Sequence, residues 1–344
     1  MGQGDECIEM SSERHTFSCI DGHTCGNPVR VVVDGAPGLR GDTMSLKRQD
    51  FISRFDWIRQ SLMYEPRGHD LMSGSLLYPP VRDDCDFGLI FIETSGCLPM
   101  CGHGVIGTVS IAIEGGFANP MREGELRLDT PAGLVTAAYQ LDGPHVESVR
   151  IENVPSYLHE ADLVLDSPEF GELKCDIVYG GNFYAIIDPQ PGCQALDSLS
   201  VSDIKRVSPP VREQVNSLRD VVHPLDTTIR GVSHVMWTGH AAQSGADSRN
   251  AVFYGPSAID RSPCGTGTSA RMAQLVSRGE LHVGDTFVHE SIIGSMFKGE
   301  VLGETVLGNS FAIRTAITGW ARVTGHNTIF VDDRDPYRHG FQLI

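Results

Sequence analysis

The chain has 344 residues, 40% of them hydrophobic and 21% charged, which suits a folded protein of about two domains and excludes a disordered or fibrous one. No stretch has the length and apolarity of a membrane span, and a net charge of −17 repels nucleic acid and anionic membrane surfaces, so the expected partner is a small molecule. The nine cysteines are odd in number and contain no CxxC pair, which argues against a disulfide framework and a zinc ribbon, so no metal is expected.

The opening MGQGDECIEMSSERH is acidic and lacks an apolar centre, so it does not read as a secretory signal, and the expected location is the cytoplasm. Gly26-Asn27 then turns into the apolar run 29–33, a predicted strand. Phe51, Phe55, Ile58 and Leu62 recur at helical spacing, with Ser45 as the expected N-cap. A second strand is predicted at 87–93 (FGLIFIE). Cys101-Gly102-His103-Gly104 follows, opening a helix that Gly115-Gly116 ends. A strand carrying TPAGLV reaches Gly133.

The region 166–175 is the expected crossover into a second half, where the features repeat in order. Gly181-Asn182 leads into the run 183–187. Val211, Val215 and Leu218 predict a helix starting after Pro209-Pro210. A short strand at 252–254 precedes Cys264-Gly265-Thr266-Gly267, a helix ending at Gly279, and a strand with ESIIGSMF around Gly294. Such an echo implies two related lobes, each contributing one cysteine to the cleft between them.

The chemistry of that cleft follows from the motif. A helix that starts at Cys-Gly leaves its first N–H groups without partners inside the helix. Those donors and the positive helix end bind a carboxylate, and they are expected to lower the thiol pKa. A carboxylate held between two such helix ends has its Cα flanked by two sulfurs. One thiolate can then remove the Cα proton while the opposite thiol delivers another. An isolated GxG is too weak to assign a dinucleotide site, so no cofactor is expected.

PMCGHGVIG at 99–107 and DRSPCGTGTSA at 260–270 resemble the two active-site signatures of the proline racemase family. HTCGNPVRVV at 23–32, EPRGHDLMSG at 65–74, GGNFYAIID at 180–188 and HESIIGSMF at 289–297 resemble further blocks of that family. The resemblance implies an α/β fold similar to diaminopimelate epimerase. In that fold two pseudo-symmetric lobes of mixed β-sheet or barrel surround a central helix each, with the active site between them. The first lobe is expected at 16–165 and the second at 166–320, with 321–344 returning to the first.

By the same resemblance Cys101 and Cys264 are the acid/base pair. Gly102, His103, Gly265 and Thr266 offer backbone N–H groups to the substrate carboxylate. His103 and Asp260 meet the ring amine, and His234 is a further substrate-side residue. The family includes proline racemases, 4-hydroxyproline 2-epimerases and trans-3-hydroxyproline dehydratases. The dehydratases typically carry Thr or Ser in place of one cysteine; this chain keeps both. That, with the LPMCGHG and ESIIGSMF wording, looks most like the epimerases, with proline racemase or trans-3-hydroxyproline dehydratase as the alternatives and a non-catalytic carboxylate-binding module as the reading from another class. The N-terminal extension with Cys7 and Cys19, and Cys25 within HTCG, depart from the family pattern. A homodimer is left open.

Overall fold

A computed structural model describes residues 14–343; the extension with Cys7 lies outside the described residues. The chain opens with β1 (Arg14–Thr24) and β2 (Asn27–Asp34), then α1 (Met44–Met63), β3 (Ser73–Tyr78) and β4 (Phe87–Glu93). Next come α2 (Gly102–Glu114), β5 (Glu125–Thr130), β6 (Gly133–Asp142) and β7 (His145–Glu152). The hairpin β8 (Tyr157–Ser167) and β9 (Gly171–Tyr179) leads to β10 (Phe183–Ile187), α3 (Val201–Leu218), β11 (Val232–Gly239) and β12 (Ser248–Tyr254). The short β13 (Ala258–Ile259) precedes α4 (Gly265–Ser277), and β14 (Thr286–Glu290), β15 (Met296–Leu307), β16 (Ser310–Gly319) and β17 (Ala321–Asp332) complete the chain.

The strand pairings confirm the repeat. From β7 outward the ladder runs β7-β6-β5-β4-β3-β2-β1-β17, with β5–β4 and β3–β2 parallel and every other step antiparallel. From β16 outward it runs β16-β15-β14-β12-β11-β10-β9-β8, and again only the third and fifth steps are parallel. The two runs meet along the antiparallel pair β7–β16. Helices take equivalent places: α1 joins β2 to β3 as α3 joins β10 to β11, and α2 and α4 lie between the corresponding later strands. The duplication is displaced at one point. The outer strand of the first run, β17, comes from the end of the chain, whereas its counterpart β8 begins the second run.

Each run curls around one helix. The helix α2 packs on β7, β1, β17 and β2, and α4 on β16, β8, β9 and β15. In α2, every residue from Gly102 to Ala112 is buried, as its all-round apolar sequence dictates.

Three expectations need correction. The N-cap of α1 is Thr43, whose Oγ1 accepts from Leu46 N at 3.1 Å, while Ser45 lies inside the helix and donates instead to Asp226. The helix α3 does not start after Pro209-Pro210 but runs through them, because a Ser200/Asp203 capping box nucleates it nine residues earlier. The carbonyls deprived of partners by the two prolines belong to the exposed Lys205 and Arg206, where water can satisfy them. Finally, 166–175 is the tip of the β8–β9 hairpin; the chain passes from one run to the other at 153–156, between β7 and β8.

Candidate active site

The two cysteines are the N-caps of the paired helices α2 and α4. These helices meet end to end. A Cβ on Gly102 would stand 2.7 Å from Gly265 Cα, and a Cβ on Gly265 would stand 2.8 Å from Gly102 Cα. The first glycine of each Cys-Gly-X-Gly motif therefore lets the helix ends touch. The second serves the sulfur: a Cβ on Gly104 would lie 3.0 Å from Cys101 Sγ, and one on Gly267 2.9 Å from Cys264 Sγ. Without those carbons each thiol can accept from the N–H of its own second glycine.

The Gly-Asn turns that open β2 and β10 reach across to the opposite cysteine loop. Asn27 Oδ1 accepts from Arg261 N at 3.0 Å, three residues before Cys264. Asn182 Nδ2 donates to Met100 O at 2.7 Å, one residue before Cys101. Each half thus anchors the other half's thiol.

All eight residues singled out from the sequence line one cavity of about 270 Å3: Cys101, Gly102, His103, His234, Asp260, Cys264, Gly265 and Thr266. Its lining side chains are buried, and only about 10 Å3 of it can seat the centre of a water molecule. The N–H groups of Gly102, His103, Gly265 and Thr266 are the first two donors of each helix and have no acceptor within it. His103 has its Nε2 at 3.1 Å from Asn27 Nδ2 and its Nδ1 at 4.0 Å from Asp260 Oδ2. Asp260 is held by the backbone N–H and hydroxyl of Ser262, both at 2.8 Å, and burial pushes its carboxyl up. His234 lies between the rings of Tyr184 and Tyr254, shares a 2.7 Å hydrogen bond with Ser233 through Nδ1, and is pushed down by burial to about 3.

Four cavity-lining residues were not found from the sequence, the apolar Leu98 and three with polar tips. Glu93 Oε1 accepts from Cys101 Sγ at 3.3 Å. The hydroxyl of Tyr184 lies 3.3 Å from Cys264 Sγ and 2.5 Å from Thr266 Oγ1. Tyr254 is the third. Each ends or interrupts an apolar strand run, so its polar atom is hidden by strand periodicity. For Glu93 a signal was available, because a buried carboxylate needs a partner.

The thiols depart from expectation. Burial pushes both Cys101 and Cys264 well above the ordinary thiol range, and Glu93 beside Cys101 and Asp260 near Cys264 add to it. The helix N–H groups pull the other way but are outweighed. The buried cavity thus holds protonated thiols, and a thiolate formed in it is a strong base. Among the described residues, the one set spaced to grip a metal is Glu93, Cys101 and His103, with ligand atoms within 4.8 Å of one another. An ion there would occupy the Cys101 sulfur.

The family model for proline racemase matches residues 19–342. A 4-hydroxyproline 2-epimerase of Shewanella loihica is 58% identical over 329 residues, covering 96% of this chain and 99% of its own. A crystal structure of a hydroxyproline epimerase from Agrobacterium vitis with bound trans-4-hydroxy-L-proline superposes with a TM-score of 0.87 at 32% identity, covering 96% of both chains. A probable proline racemase from Agrobacterium radiobacter, solved with bound carbonate, superposes at 0.89 with 34% identity, covering 95% of this chain and 96% of that one. With the paired Cys-Gly helix ends and a match along nearly its whole length, the chain belongs to the proline racemase family.

Proposed function

We propose that this protein epimerises 4-hydroxyproline at Cα, converting trans-4-hydroxy-L-proline to cis-4-hydroxy-D-proline with Cys101 and Cys264 as the two bases. The observation that carries the reading is the placement of both sulfurs on one small buried cavity, at two helix ends in contact. The relatives described above support the choice of 4-hydroxyproline.

The substrate carboxylate lies against the free N–H groups of Gly102, His103, Gly265 and Thr266. Negative charge that develops on it as the Cα proton leaves is stabilised by those donors and by both helix dipoles. The ring amine faces His103 and Asp260, with His234 bordering the ring. One thiolate takes the Cα proton; the opposite thiol gives its proton to the other face and becomes the thiolate. Burial suits this step, since a desolvated thiolate better matches the weakly acidic Cα–H. The reaction uses only groups of this chain. The same reading places the enzyme in the cytoplasm, acting on the free amino acid, with a homodimer as the assembly that gel filtration tests.

Incubation with trans-4-hydroxy-L-proline in deuterated water is expected to yield cis-4-hydroxy-D-proline carrying deuterium at Cα. Formation of a pyrroline from trans-3-hydroxy-L-proline, with no epimerisation of the 4-hydroxy isomer, would overturn it in favour of a dehydratase.

A further inference from the structure

Each inversion exchanges the protonation of the two thiols. Before a second molecule of the same epimer can react, one sulfur must lose a proton and the other must gain one. The buried cavity leaves almost no room for water to carry them.

One thiol has a connected path outward. Glu93 Oε1 accepts from Cys101 Sγ at 3.3 Å, and its other oxygen, Oε2, accepts from Ser95 Oγ at 3.1 Å. Glu93 itself is 2% exposed, whereas Ser95 is exposed. A tight turn, with Glu93 N donating to Gly96 O at 2.8 Å, folds Ser95 back over the carboxylate. Ser95 lines a second cavity in which about 430 Å3 can seat the centres of water molecules, against about 10 Å3 in the first, and Leu98 lines both spaces. The path thus runs from the sulfur, through a buried carboxylate and an exposed hydroxyl, into space that admits water. The Cys264 side differs. Its sulfur lies by the Asp260 carboxylate, whose other partners, Ser262 and His103, are themselves buried; it also meets the Tyr184 hydroxyl, which meets Thr266 Oγ1, which accepts from the amide of Asn182 at 3.3 Å. That chain ends on an amide, which does not pass protons on.

We propose that Glu93 and Ser95 form the proton route by which Cys101 is reset between turnovers, the two-thiol reading above being its premise. In the outward direction the Cys101 S–H bond breaks and an O–H bond forms on Glu93 Oε1, giving a thiolate and a neutral carboxyl group. The carboxyl group then turns about its Cγ–Cδ bond, bringing its new O–H to Ser95, and gives that proton to the Ser95 oxygen as the Ser95 hydroxyl, turned to the outer cavity, releases its own to water. The carboxylate and the hydroxyl are restored, and one proton has moved from sulfur to solvent. The inward direction reverses each step. Glu93 and Ser95 act through Cys101 and do not touch the substrate Cα.

The test compares wild type, Ser95→Ala, Ser95→Thr and Glu93→Gln. Three readouts are taken: the rate of one inversion with enzyme in excess, the steady-state rate at saturating substrate, and the share of deuterium from substrate labelled at Cα that survives in the substrate and product pools in ordinary water. In Ser95→Ala and Glu93→Gln the ratio of steady-state to single-inversion rate is expected to fall about tenfold or more, with more label retained. Ser95→Thr, which keeps a hydroxyl, restores both. Ratios and retention equal to wild type in both Ser95→Ala and Glu93→Gln overturn the relay. If Glu93→Gln fails to fold, the exposed Ser95 position decides alone. Absence of solvent exchange at Cα in wild type overturns the two-thiol reading and the relay with it; exchange in wild type with unaltered variants removes the relay only.

Discussion

Cys101 and Cys264 stand on the same Cys-Gly-X-Gly frame, yet their surroundings are not copies. Cys101 is extended at φ −141° and faces a carboxylate and an imidazole, Glu93 and His103. Cys264 sits at φ +63°, in the left-handed region that L residues rarely adopt, and faces a phenol, Tyr184, and a carboxylate, Asp260, that has no exposed hydroxyl on it. Strand order, helix placement and both glycines are duplicated, whereas the groups that handle protons are not. The backbone duplication builds a symmetric cradle for a carboxylate; the side chains decide how each sulfur is supplied with protons. Strain at Cys264 belongs to that division, since non-glycine residues held at such angles cluster at functional sites.

The comparison can be broken most forcefully at the sulfurs. Cys101→Ala and Cys264→Thr are each expected to cut epimerisation by about 1000-fold or more, read as deuterium entering the product epimer; a near-wild-type rate in either variant would mean that only one thiol is used as a base. Next in size is the contact between the helix ends. Gly102→Ala and Gly265→Ala force a carbon into a 2.7–2.8 Å gap, and each is expected to slow turnover about 100-fold by displacing the reacting groups. Their melting temperatures report the overpacking separately. A smaller effect is expected at the unduplicated phenol: Tyr184→Phe should lower kcat about tenfold, and no change would show that the hydroxyl merely orders Thr266.

The two halves also differ in alkali. Burial raises Cys25 and Cys85 to about 11 and Cys19, Cys97 and Cys175 to about 12. The unfolded chain ionises its thiols near pH 8.5, so it sheds protons first and is favoured as pH rises from there until the folded thiols ionise as well. Stability is full below that range and lost through it. Four of those five thiols lie in the β1–β7 half, so its amides are expected to lose hydrogen-exchange protection first between pH 9 and about 11; simultaneous loss in both halves would refute the difference. The smallest effect concerns caps. Thr43→Ala should destabilise by about 1 kcal/mol, and Ser45→Ala by less, in thermal melts, because Ser45 only ties α1 to the partly exposed Asp226.

The sequence made the repeat and the cysteine pair readable because glycine and cysteine positions are tied to backbone geometry, and that geometry recurs. It hid Glu93 and Tyr184 because FGLIFIE and FYAII carry the apolar signature of buried strands, and periodicity says nothing of which polar tip turns toward a sulfur. The start of α3 is hidden because Pro209-Pro210 is a conspicuous local breaker, whereas the Ser200/Asp203 cap ahead of it is a short polar pattern. The thiol acidity is not legible because a helix terminus can be read from a motif, whereas desolvation depends on how completely the other half covers it.

The pairing of β1 with β17 joins Arg14 to Asp332. On the ribosome, the strand made first keeps one edge bare until the strand made last emerges. The half beginning at β8 is contiguous through β16 and can close on itself earlier. The ladder of the β1–β7 half therefore cannot gain its outer strand before the whole of the β8–β16 half has been made.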